Sequence, residues 1–116
     1  MDILESKLEN LSLIAVNGRL DTLSAGDLEK KMDSLIGSGC TMVIIDLEKT
    51  EYISSSGLRV LLASLKKVRK QQGDIMLARL APDIIQVFEM SGFDKLFNIF
   101  ESVEAAAAHK GKNTSA

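Results

Sequence analysis

Strand and helix periods that alternate along the chain predict an α/β layer fold with a mostly parallel sheet. Three observations carry that expectation. Met42, Val43, Ile44 and Ile45 form an unbroken apolar run, which is the pattern of a strand covered on both faces and so of a central parallel strand. On either side of this run the apolar spacing changes to that of amphipathic helices. The chain has 116 residues, 46% of them apolar and 26% charged, enough for one domain with a buried core.

The N-terminal residues 3–7 and 12–17 read as two short strands joined around Glu9 and Asn10, a spacing that predicts an antiparallel hairpin. In "LSAGDLEKKMDSLIGSG", Ser24 is placed to cap a helix with Asp27 in its first turn. Leu28, Met32, Leu35 and Ile36 line one face of that helix, and Gly37 and Gly39 end it. The apolar run then gives a strand over 41–47. Leu58, Leu61, Leu62, Leu65 and Val68 return to helical spacing, with Lys66, Lys67, Arg69 and Lys70 on the other side, near the helix C-terminus that favours cations.

After a turn at Gln72 and Gly73, "DIMLARL" reads as a strand. Pro82 opens a helix through Ile84, Val87 and Phe88 that Ser91 and Gly92 stop. A last short strand lies near 97–100, with Phe97 expected in the core, and "VEAAAAHK" is a helix of high alanine propensity. Residues 1–110 are therefore expected to form the domain, and 111–116 a disordered polar tail.

Composition excludes several function classes. A net charge of −2, 4% aromatic residues and no Trp argue against nucleic acid as a partner. The single cysteine, Cys40, cannot form an internal disulfide, fits a reducing compartment and is too little for a zinc site. "MDILESKLEN" places acidic residues where a signal peptide needs basic ones, and no segment approaches the ~20 apolar residues of a membrane span. A cytoplasmic protein without membrane insertion is expected. "KKVRK" reads as a solvated helix face around core-facing Val68, whereas Met90 and Phe93 either meet a partner or cover the sheet edge.

The chemistry-bearing stretch is "EYISSSGLRVLLASLKKVRK", Glu51 to Lys70, where three serines and a glycine precede a helix. Loops beyond the carboxyl ends of parallel strands are where α/β folds place their sites. One of Ser54, Ser55 and Ser56 is needed as an N-cap. A nucleophilic serine would need a base and an orienting group, yet the only histidine, His109, lies near the C-terminus and no G-x-S-x-G elbow is present. No phosphate-binding glycine loop is present either. These points predict a protein that is not an enzyme and leave regulatory phosphorylation open.

At these residues the sequence resembles the STAS domain, and within it the bacterial anti-sigma factor antagonists. The resemblance covers nearly the whole chain. It rests on "IIDLEKTEYISSSGLRVLLASLKKVRKQQG", on "VNGRLDTLSAGDLEKKM" and on "PDIIQVFEMSGFDKLFNIFESVEAA", in that order. The fold it implies is a single STAS-like domain. It has a mixed, mostly parallel sheet of about five strands and about four helices packed mainly on one side.

The function the resemblance implies is partner switching. The unphosphorylated protein would bind an anti-sigma factor that is also a serine kinase, and phosphorylation of the serine before Gly-Leu would end binding until a serine phosphatase restores it. That serine is Ser56, with Ser55 and Ser54 as alternates in the serine run. ATP would be bound by the kinase, so no cofactor and no metal is expected here. The implied partner surface comprises Asp21, Thr22, Ser54, Ser55, Gly57, Leu58 and Arg59. Asp21 can equally be a solvated turn carboxylate or pair with the N-terminus of the second helix. Ser54 stands where phosphorylated family members commonly have aspartate. That departure keeps open an alternative, a STAS accessory subunit docking on the ATPase of a lipid-transport ABC complex without phosphorylation.

Overall fold

The computed structural model describes residues 1–8 and 11–113, with 110–113 as backbone alone. β1 (Asp2–Leu8) and β2 (Leu11–Leu20) pair antiparallel, in a register that sets Ile3 against Val16 and Leu8 against Leu11. The turn expected at Glu9 and Asn10 lies outside the described residues. From there the chain alternates: α1 (Thr22–Gly37), β3 (Met42–Asp46), β4 (Thr50–Ile53), α2 (Ser55–Lys70), β5 (Asp74–Ala78), α3 (Pro82–Ser91), β6 (Asn98–Phe100) and α4 (Val103–Asn113). The sheet order is β1-β2-β3-β5-β6, and every pair beyond the first is parallel.

Period-two alternation divides the core between the two faces of this sheet. Ile14, Val16, Val43, Ile45, Ile75 and Leu77 point to the face covered by α1, α2 and α3. Leu28 and Met32 from α1, Leu61 and Leu65 from α2 and Phe88 from α3 meet them there. Met42, Ile44, Met76 and Ala78 point the other way, under Ala106 of α4. β3 is buried along its whole length, as its apolar run predicts. Phe97 is buried and meets Phe88 edge-on at 5.9 Å between ring centres, worth about 0.5–1.5 kcal/mol beyond area burial. Met90, in contrast, is almost wholly exposed.

Three elements differ from the sequence expectation. β4 is a sixth strand, in a stretch expected to be a connection. α1 begins at Thr22, so Asp21 is its cap and Ser24 stands three residues inside it. Helix α4 runs through 111–113, into the segment expected as a disordered tail, and residues 114–116 lie outside the described residues.

The sixth strand arises because β2 is longer than its apolar run and forks. Its first half pairs with β3, and from Gly18, at φ +103°, its last residues pair with β4, where Glu51 is the extra residue of a bulge. Thr50 is buried in this fork. Its Oγ1 donates to the Val16 carbonyl at 2.6 Å, while the Gly18 N–H donates to Lys49 O at 2.9 Å. The backbone groups released where β2 leaves β3 are thereby satisfied.

Candidate functional site

The fork brings two helix starts side by side. β2 ends at Leu20 and α1 begins two residues later, while β4 ends at Ile53 and α2 begins two residues later. The Ser54 N–H donates to Leu20 O at 2.9 Å and ties the two junctions together. Both lie at the carboxyl ends of parallel strands, where packing leaves side chains free for contact.

The three serines have different duties. Ser54 is the N-cap of α2: its backbone is extended, and its Oγ accepts from the Gly57 N–H at 3.1 Å. Among the described residues nothing hydrogen-bonds to the hydroxyl of Ser55 or Ser56. Ser55 is exposed and Ser56 half-buried, so the position before Gly-Leu is less open than a free loop would be.

Gly57 is buried and serves packing. A β-carbon there would stand 2.8 Å from Leu20 Cγ and 3.0 Å from Leu20 O, so only glycine lets the α2 start lie against β2. Leu58 faces the core, which removes it from the expected contact surface. Arg59 is exposed, and its Nε curls back to 3.5 Å from Ser55 O in the first turn.

Asp21 closes a capping box on α1, not on α2. Its Oδ1 accepts from the N–H groups of Leu23 and Ser24, both at 3.1 Å, and its own N–H donates to Ser24 Oγ at 2.9 Å. These bonds, the Ser24 N–H first, hold the Asp21 carboxyl below its ordinary range, so a formal negative charge persists beside the serine turn. Thr22 and Leu23 follow, both exposed, Leu23 at 90%. Across the fork the Arg19 guanidinium stacks on the Tyr52 ring, 4.4 Å from its centre. Sequence reasoning missed Arg19, Leu23 and Tyr52. The exposed Leu in "DTLS" at a helix start was the available signal.

His109 packs on Phe100 at 4.9 Å, on the α4 side of the sheet, whereas the serines open a helix on the other side. Among the described residues no group of three or more His, Cys, Asp or Glu could hold a metal, and no helix is long and apolar enough to cross a membrane. The site is a surface of helix-start hydroxyls, a charged cap and exposed apolar groups.

The family model for the STAS domain matches residues 5–106. This chain belongs to the STAS domain family. BtrV of Bordetella bronchiseptica, provisionally named an anti-sigma factor antagonist, is 36% identical over 108 residues, 93% of each chain. The anti-sigma-B factor antagonist of Bacillus subtilis is 31% identical over 91 residues, covering 78% of this STAS chain and 83% of its own. Among solved structures, the phosphorylated form of the Bacillus cell fate determinant SpoIIAA shares the fold. Its TM-score is 0.75 at 21% identity, over 93% of this chain and 98% of that one. The mixed sheet with four helices is thus the STAS fold, and this STAS domain has anti-sigma factor antagonists as its named relatives.

Proposed function

We propose that this STAS protein is an anti-sigma factor antagonist that acts in the cytoplasm as a binding module without enzymatic activity. Unphosphorylated, it binds an anti-sigma factor with serine kinase activity; phosphorylation at Ser56 releases that partner, and a serine phosphatase resets the cycle. The observation that carries this reading is the division of labour at the α2 start. Ser54 is committed to capping, and the hydroxyls of Ser55 and Ser56 are left for chemistry beside the ionised Asp21 cap.

A phosphate there carries about −1.5 to −2 charges at pH 7, and the helix start stabilises it by roughly 0.3–1 kcal/mol, so the fold survives modification. A partner docked on the junctions would have to desolvate the phosphate, and a loss of only ~2.8 kcal/mol weakens binding about a hundredfold. Ser54 also bears on the family's aspartate at this position. Serine and aspartate are both strong N-caps, so the exchange keeps the helix start and removes one carboxylate next to the acceptor. The main support for the constitutive ABC-docking alternative is weakened accordingly.

The test is phosphopeptide mass spectrometry after incubation with ATP and each anti-sigma serine kinase encoded in the same genome, alongside binding of Ser56→Ala and Ser56→Glu. One phosphate on Ser56 is expected, with Ser56→Ala binding and Ser56→Glu failing to bind. Phosphate on Ser55 would move the acceptor by one residue. Tight binding of Ser56→Glu with no phosphate on any of the three serines would leave the docking subunit as the better account.

A further inference from the structure

The residues that match the family's pattern around the switch are largely occupied inside the molecule. Ser54 caps α2, Asp21 caps α1, and Gly57 and Leu58 pack inward. They can fix where a partner sits but offer it little to grip. The side chains at the same two junctions without such duties are different ones. Leu23 is 90% exposed in the first turn of α1, where it serves no core. Tyr52 is 41% exposed and lies flat under Arg19. Beside Leu23 and Arg19 lies an open groove whose lining also includes Met1, Asp21, Asp27 and Glu51. Three of these are carboxylates, set against the N-terminal residue Met1 and against Arg19, whose guanidinium is already over an aromatic ring.

An exposed leucine beside an aromatic–arginine plate, rimmed by acids, has the composition of an interface centre. Large exposed apolar side chains at a folded surface are also what a partner's pocket can desolvate at no loss to the fold. We infer that Leu23 and the Arg19–Tyr52 plate are the specificity-determining contacts for the anti-sigma factor, which meets them with an apolar socket for Leu23 ringed by basic side chains facing Asp27 and Glu51. This inference rests on the antagonist reading. In it, Ser56 decides whether binding occurs and the Leu23 groove decides with whom. The groove shares Asp21 with the switch, so both belong to one partner surface.

The experiment measures the affinity and association rate of the full chain for the purified anti-sigma serine kinases of the same genome. The variants are Leu23→Ala, Leu23→Asp, Tyr52→Ala and Glu51→Lys, with Met90→Ala, also largely exposed but on α3 and outside the groove lining, as control. Leu23→Asp and Tyr52→Ala should each weaken binding by about tenfold or more. Glu51→Lys should slow association and flatten its dependence on salt. Circular dichroism and thermal midpoints of all variants should match wild type, and Met90→Ala should bind normally. If wild type binds such a kinase and Leu23→Asp binds it equally well, the groove assignment is wrong while the antagonist reading stands. If wild type binds none of them, both fall.

Discussion

Gly57 lies so close to Leu20 that a β-carbon on the glycine would overlap the leucine side chain at 2.8 Å. Leu20 is fully buried and its carbonyl accepts from Ser54, so neither its side chain nor its backbone can yield without moving the α2 start. Gly57→Ala should therefore destabilise the protein by about 1–3 kcal/mol, the usual range for overpacking a tight contact. Denaturant unfolding checks this. An unchanged midpoint would mean that α2 can lift away from β2.

Capping at Ser54 predicts a contrast between two substitutions. Ser54→Ala removes the acceptor for the Gly57 N–H and should cost about 0.5–2 kcal/mol. Ser54→Asp keeps an acceptor at a helix start that favours negative charge and should stay within about 0.5 kcal/mol of wild type. Thermal unfolding of the pair measures the difference. Equal losses would show that the hydroxyl's role is not capping.

The Asp21 box has a pH signature. Its hydrogen bonds put the folded carboxyl below the unfolded value of about 3.9, so the stability it contributes is complete above that value. It is lost as the pH falls through the folded value. Asp21→Asn keeps a good cap but does not titrate, so its melting temperature should lie near wild type at pH 7, and the gap between the two should change below about pH 4. Asp21→Ala should melt lower at pH 7. Partner binding by Asp21→Asn should fall more than its stability does, because the charge is removed while the cap stays. Normal binding would assign Asp21 to structure alone.

The central elements were legible because burial on two sheet faces writes itself into spacing. The run Met42–Ile45 and the ladder from Leu58 to Val68 could hardly be anything else. β4 was not legible for the same reason reversed. Its burial runs buried, exposed, exposed, buried, because its register on β2 shifts between Gly18 and Arg19, so no alternation marks Thr50–Ile53. The sequence placed the cap of α1 at Ser24, and the cap is Asp21, which stands at capping-box spacing from it. β2 settles the choice by running to Leu20. Gly57 was expected on the partner surface, and no sequence pattern records that Leu20, far away in the chain, lies against it. At the site, the serine run was visible as a helix start, but which hydroxyl was spent on the backbone needed coordinates.

The fork at Gly18 sets a ribbon of β4 on the tip of β2, with Leu20 and Ile53 anchoring it in the common core. Three strands, β2, β3 and β5, carry most of the sheet's buried residues, while Arg19, Leu23 and Tyr52 stand exposed at the tip of the fork and the start of α1. Changes at Arg19, Leu23 or Tyr52 need not disturb the strands below Gly18, so recognition could drift from one partner to another while the scaffold stayed the same. Paralogous copies in one cell could diverge in this way and run parallel signalling lines without cross-talk. The two short loops could likewise be transplanted together, as a cassette, onto another chain of the same fold.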